Sequence, residues 1–279
     1  PQSYANNGFG QRWDNVGAMV NRGVELSANL DVIRTEDFVW NINGNASYNH
    51  NEITELYNGL DEYEMSGTST KLKVGHPVGE FYINRYAGVN PANGDALWYD
   101  KEGNITTEFC ESDKVLVGKT YMAPWQGGFG TSVSWKGWTA STQFAWVANR
   151  WMFNNDRFFE ESNGLYSVYN QSKRLLYDRW KKPGDITDIP RYGVTPQMDS
   201  RFLEDASFLR MKNLMLSYTL QPKTLEKMKG IGGARMYVQG QNLFTFTKFS
   251  GIDPESTSNV YAAQYPMSKQ FSIGLELNF

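Results

Sequence analysis

The chain has 279 residues, with 27 basic and 30 acidic side chains, a net charge of -3, 15% aromatic residues and a mean hydropathy of -0.54. Charge this balanced and dispersed excludes a basic footprint for nucleic acid, and a single cysteine, Cys110, excludes an internal disulfide or a thiolate metal site. No run approaches the roughly 18 apolar residues of a membrane helix, whereas bulky rings in an otherwise polar chain suit aromatic girdles around a polar interior.

His50 and His76 are the only histidines and have no partner at metal-ligand spacing. Neither a metal nor a cofactor is expected. The sequence opens on Pro1 without a signal peptide, and the expectation is a piece of a longer protein.

Residues 1–22, rich in Asn, Gly and Gln, read as a loop. From Gly23 to about Arg34, Val24, Leu26, Ala28, Leu30 and Val32 alternate with Glu25, Ser27, Asn29 and Asp31, as in a strand with one apolar and one polar face. A turn at Thr35 to Asp37 leads to a second strand, where Phe38, Trp40, Ile42, Ala46 and Tyr48 oppose Asn41, Asn43, Asn45, Ser47 and Asn49. Residues 51–77 read as a polar loop and Val78 to Gly88 as a weaker strand. The segment Val89 to Asp95 carries strong turn chemistry, and a short strand from Ala96 to about Asp100 returns from it.

After a loop to Pro124, Phe129, Thr131, Val133 and Trp135 alternate with Gly128, Gly130, Ser132 and Ser134. Lys136 and Gly137 make a hairpin turn into Trp138, Ala140, Thr142, Phe144 and Trp146. Residues 151–205 lack strand alternation, although a helix is expected from Leu165 to Trp180, where Val168, Tyr169, Leu175, Leu176 and Trp180 fall on one helical face. Strands follow at about Ala206 to Leu220 and Ala234 to Phe246, with a short helix between them that starts near Pro222. The last stretch, Ser268 to Phe279, places Phe271, Ile273, Leu275, Leu277 and Phe279 on one face, and Gln270, Ser272, Glu276 and Asn278 on the other.

These are nine strand candidates whose connections alternate short and long. An up-and-down antiparallel sheet with its turns at one end and its long loops at the other is the pattern of a transmembrane β-barrel. An odd count cannot close a bacterial single-chain barrel, and an open edge in lipid leaves backbone groups unsatisfied. Further strands are therefore expected upstream.

Several ordered motifs then resemble one family. They are Asn21 to Leu26 (NRGVEL), Asp37 to Trp40 (DFVW), Ala87 to Asp95 (AGVNPANGD), Gly128 to Gly137 (GFGTSVSWKG), Leu203 to Tyr218 (LEDASFLRMKNLMLSY), Val238 to Thr247 (VQGQNLFTFT) and Ser250 to Glu255 (SGIDPE). Together they look like the C-terminal β-barrel portion of SusC/RagA-family TonB-dependent transporters, outer-membrane proteins of Bacteroidetes. The resemblance implies an all-β, multi-pass barrel of about 22 strands in the cell outer membrane, of which this chain supplies about nine. In that division 1–22 is an extracellular loop segment and 23–279 is barrel, while the N-terminal plug and earlier strands lie outside the chain. It further implies a SusD-like surface lipoprotein as partner, energy coupling by TonB through the absent N-terminal region, contact with outer-membrane lipid, and a glycan or oligopeptide cargo.

Candidate site residues follow from position. Trp151, Phe153, Phe158 and Phe159, beyond a strand that ends near Arg150, are candidates for contact with substrate or lid protein, with girdle and loop packing as the competing roles. Phe271, Ile273, Leu275, Leu277 and Phe279 are expected to face lipid, with Phe279 resembling an assembly signal. The Asn- and Gln-rich faces suit a sugar-binding lumen or simply a wetted wall. The adjacent acids Glu160 and Glu161 lack a positioned partner in sequence, so no glycosidase or other catalytic chemistry is expected. The alternative from another class is a secreted, soluble β-rich carbohydrate-binding module.

Overall fold

The computed structural model describes residues 17–65, 67, 69–166, 168–226 and 230–279. Strand β1 (Gly17–Arg34) and strand β2 (Phe38–Leu56) open the chain as a long hairpin. Seven short strands follow: β3 (Glu62–Met65), β4 (Thr70–Lys73), β5 (Glu80–Ile83), β6 (Arg85–Val89), β7 (Ala96–Tyr99), β8 (Ile105–Thr106) and β9 (Val115–Thr120). A second long hairpin comprises β10 (Trp125–Trp135) and β11 (Trp138–Ala148), followed by β12 (Trp151–Asn154), helix α1 (Asn155–Glu160), the single-turn helix α2 (Arg174–Tyr177) and β13 (Leu203–Asp205). The chain ends with β14 (Phe208–Thr219), α3 (Pro222–Leu225), β15 (Gly233–Gln241), β16 (Thr245–Thr247), β17 (Val260–Tyr261) and β18 (Gln270–Asn278).

The long strands form one antiparallel sheet in the order β1-β2-β10-β11-β14-β15-β18, with β16 added to the far end of β14. Neighbours in this wall are consecutive along the chain apart from the short strands, which is up-and-down topology. Its registers place Phe38, Trp135, Trp138, Tyr218, Met236 and Leu275 in one row at the end of the short turns. The connections at that end are 35–37, 136–137 and 220–232, and those at the other end are 57–124, 149–207 and 242–269. The turn at Lys136 and Gly137 needs left-handed backbone at both positions, with φ of 47° and 93°. That is the twist a two-residue hairpin demands, and glycine supplies half of it without strain.

One face of the wall is apolar and uncovered. Leu26, Leu30, Leu216, Val238, Phe271, Ile273 and Leu275 are all exposed on it. Rings bound the belt on both sides: Trp138 and Tyr218 lie 4.8 Å apart near the turns, and Tyr48 and Trp125 lie 4.5 Å apart near the long connections. Trp125 and Trp135 end the same strand, a separation of roughly 33 Å at about 3.3 Å per residue. Tilted by about 35–45°, that strand rises about 23–27 Å, matching the height of a lipid-facing band. The opposite face is a polar lattice, in which Asn41 donates to Asn29 and Asp31 at 2.7 and 2.9 Å and Gln239 donates to Asn213 at 2.9 Å. Gly274 lies under the Tyr237 ring, which a Cβ there would meet at 2.2 Å.

Several expectations change. Strand β1 begins at Gly17, so the loop assigned to 1–22 gives way from that residue, and residues 1–16 lie outside the described ones. The stretch 51–77 contains the end of β2 together with β3 and β4. The segments Val78 to Gly88 and Ala96 to Asp100 do form strands, but these belong to small sheets, β3-β4-β5-β9 and β6-β7-β8, and not to the wall. Among the described residues the wall therefore has seven long strands where nine were expected, because local alternation marks a strand without saying which sheet it joins. Finally, the helix expected over 165–180 shrinks to the turn Arg174–Tyr177, with Leu175 buried while Val168 and Leu176 point outward.

Candidate functional site

Beyond the Tyr48 and Trp125 girdle, the three long connections fold into one outer layer. Its centre is a buried cluster of Phe81, Ile83, Phe153, Phe158, Phe202 and Leu203, with Val260 packed against it, so that every connection contributes. A neighbouring cluster joins Met152, Ala206, Phe249 and Tyr261, the last two rings 5.0 Å apart. Backbone pairing runs the same way: β12 is hydrogen-bonded to β13 antiparallel and to β17 parallel.

Charged groups tie the layer further. Arg157, mostly buried, donates to Glu161 at 2.9 Å, Glu204 at 3.1 Å and Asp188 at 3.1 Å. Arg174 donates to Asp188 at 2.7 Å and also to Glu161. Burial alone would push the Asp188 carboxyl up, but the Arg174 hydrogen bonds and charge outweigh it and hold the group below the usual carboxylate range. Glu204 carries the link onward by accepting from the Ser250 backbone N–H at 2.7 Å and its hydroxyl at 2.8 Å.

Two further junctions use the sequence motifs directly. The Val89 to Asp95 turn sits in the outer layer, where the Trp180 indole donates to the Pro91 carbonyl at 3.1 Å and Arg191 pairs with Asp95 at 2.9 Å. Gly94 has φ of 78°, and a Cβ there would meet the Trp180 ring at 2.4 Å. A side chain is thus excluded by strain and by contact together. At the seam between wall and layer, Arg210 is 3% exposed and donates to Asp253 at 2.6 Å and Thr245 at 2.9 Å, while Lys212 reaches Glu255 at 2.6 Å. Burial raises the Asp253 carboxyl, but the Arg210 hydrogen bond and charge, with backbone donors from Glu255 and Met267, carry it net downward.

The four rings proposed from sequence for contact with substrate or lid protein do come together, but in the core of this layer. Phe153 is fully buried and Phe158 nearly so. Phe159 is half-buried, its ring 5.0 Å from Tyr166. Trp151 is half-buried and carries the Lys119 ammonium 3.6 Å above its ring. The outward rings and chains of the same connection are others, among them Val168, Tyr177, Ile186 and Tyr192. In the terminal strand, Phe271, Ile273, Leu275, Leu277 and Phe279 are exposed, the first four on the apolar face.

Sequence reasoning missed the ion network. Arg157 and Glu161 stand four apart on one helical turn, a detectable spacing, whereas Arg157 and Glu204 are 47 residues apart and leave no periodic trace. Glu161, read from sequence as an acid without a positioned partner, is buried and held by two arginines. What this arrangement can do chemically is hold loops rigidly and present concave surfaces. The buried Glu161 and Asp253 carboxylates are occupied by arginines, Asp199 by the Trp98 indole and Glu80 by His76 and the Gly118 backbone N–H, and the described residues contain no group of ligands that could hold a metal.

No protein-family model matches the chain. Among relatives, the TonB-dependent receptor SusC of Bacteroides thetaiotaomicron is 31% identical over 96% of this chain and 27% of its own length. The TonB-dependent receptor P3 of Formosa agariphila is 28% identical over 98% of this chain and 30% of its own. Among solved structures, the RagAB peptide transporter matches with TM-score 0.91 and 39% identity, covering 98% of this chain and 31% of that one. The RagAB peptide importer in its open-open and closed-closed states matches with TM-scores of 0.91 and 0.90 at 38% identity, over all of this chain and 31% of each. The chain thus spans about three tenths of the length of the proteins it resembles.

Proposed function

We infer, from the premise that this chain belongs to the SusC/RagA family of TonB-dependent receptors, that the complete protein imports a glycan or oligopeptide across the outer membrane. The observation that carries this reading is the wall: an up-and-down sheet with a ring-bounded apolar belt of bilayer height, continuous with a packed outer layer, in a chain that superimposes over its own whole length on 31% of a RagAB chain. The apolar face meets outer-membrane lipid. The polar lattice lines the lumen, and the outer layer forms part of the vestibule.

In this role the chain is a stationary part. Its near-equal match to the open-open and closed-closed states of the RagAB importer supports that assignment. A surface lipoprotein of the SusD type would cover the vestibule, with the exposed side chains around Val168, Tyr177 and Ile186 now better placed to meet it than the buried Phe153 and Phe158. Energy from TonB would act through regions outside this chain. Phe279, exposed at the end of the last strand, would serve membrane assembly.

Uptake measured with and without TonB tests the reading. Loss of uptake on TonB deletion is expected, and unchanged uptake would refute it. Between glycan and peptide, the RagAB relatives, which are peptide transporters, favour peptide, and competition for uptake by each class decides.

A further inference from the structure

The outer layer also contains a cleft of about 500 Å³ whose charged lining residues are all cationic: Arg85 on β6, Lys101 after β7, and Lys119 on β9. Leu203 and the Val115 to Val117 segment supply apolar walls, and Ser200 a hydroxyl. Among the described residues, none of the three cations has a carboxylate at ion-pair distance. Arg85 spends one Nη on the Asp100 carbonyl at 2.7 Å, and its Nε is buried without a partner. Lys119 sits over the Trp151 ring. By contrast, Arg157, Arg174, Arg210 and Lys212 in the same layer are each held by carboxylates.

Three like charges carried by residues that line one concavity repel one another, and low-dielectric walls focus their field outward through the mouth. A negative group in the cleft would relieve that repulsion and accept charge-assisted hydrogen bonds, stronger than neutral ones. Burial also pushes the Lys119 ammonium below its usual range, only partly offset by Asp205, so an anion here would restore a charge that the fold disfavours. The Ser200 hydroxyl already accepts from the Tyr86 backbone N–H at 2.9 Å, which leaves its own proton to donate.

We propose that this cleft is a subsite for an oxyanion, a carboxylate foremost, carried by the imported oligomer. The word "imported" rests on the reading above, whereas the charge chemistry does not. Carboxylates reach such a site from acidic peptides or from uronate-containing glycans, and the same geometry receives either.

The test uses the full-length protein carrying this chain, in detergent micelles at low salt, with paired probes. Oligoglutamate is compared with oligoglutamine, and oligogalacturonate with a neutral oligosaccharide of equal length. The charged member of one pair binds about tenfold more tightly, and the preference fades as salt screens it. The pair that shows the preference names the source. R85Q/K101Q/K119Q abolishes it. Because Arg85 also packs on Tyr99 and bonds to Asp100, K101Q/K119Q is measured beside it and lowers the preference severalfold without touching those contacts.

Equal binding within both pairs overturns the proposal, as does a preference unchanged in the double variant. Displacement of neither probe by the other, with capture of lipopolysaccharide vesicles instead, assigns the cations to lipid phosphate and overturns it too. The two readings fail separately. Charge-selective binding with uptake independent of TonB refutes import and leaves the subsite, whereas TonB-dependent uptake without charge selectivity does the reverse.

Discussion

The wall and the outer layer are built from the same strands and turns, yet different forces hold them. In the wall, inner strands are fixed by two ladders and the edge strands β1 and β18 by one, and the apolar surface is directed away from the protein. In the outer layer the strands are short, and stability comes from enclosed rings and enclosed ion pairs that join connections distant in sequence. Backbone pairing determines the first region and tertiary packing the second, so substitutions should separate them.

The largest effect is expected at the seam. Arg210→Met leaves Asp253 and Glu255 without their guanidinium in a nearly closed site, at a cost of about 3–5 kcal/mol for one buried partner removed. Protease cleavage in 242–269 reads the outcome, while the folded barrel should persist on semi-native gels. Next is the wall itself. Leu214 pairs with Thr142 and that residue with Thr131, midway between Trp125 and Trp135. Leu214→Arg therefore puts a charge near the bilayer midplane at about 2–4 kcal/mol. Lower membrane levels with normal outer-layer protease resistance are expected.

A smaller effect follows from Gly94→Val, which strains a left-handed residue by about 1–3 kcal/mol and drives a side chain into Trp180. It should expose 89–95 and 180–191 to protease together, because each braces the other. The smallest effect is acid loosening. Asp188 and Asp253 have depressed folded pKa values, so their stabilisation is complete above the unfolded value of about 3.9 and is lost as pH falls through the lower folded one. Asp199, whose carboxyl is pushed up by burial despite the Trp98 hydrogen bond, runs the other way and gains as it is protonated. Outer-layer protease sensitivity should rise only below about pH 4, with the wall unchanged.

The contrast also explains what could be read from the sequence. Period-two alternation recovered all seven wall strands and, with 89–95 excepted, the sorting of short and long connections, since each strand shows one face to lipid and the other to water. The same pattern misassigned Val78 to Gly88 and Ala96 to Asp100, because two layers that both use strands give one local signal. The turn at Val89 to Asp95 has impeccable turn chemistry but lies at the outer end, held by Trp180 from another connection. Arg210 and the Asp253 to Glu255 segment were both visible as motifs, but only the fold brings them together. For Trp151, Phe153, Phe158 and Phe159, ring content alone does not distinguish a binding face from a core; enclosure by Phe81, Ile83 and Phe202 does.

The central claim is that three connections form one packed unit separable from the wall. Hydrogen–deuterium exchange on the full-length protein and its Phe153→Ala variant tests it, since the lost ring costs about 3–5 kcal/mol at the point where all three connections meet. Faster exchange is predicted jointly in 57–124, 149–207 and 242–269, with β10, β11, β14 and β15 unchanged. Faster exchange confined to 149–207, or spread equally into those wall strands, would contradict the account.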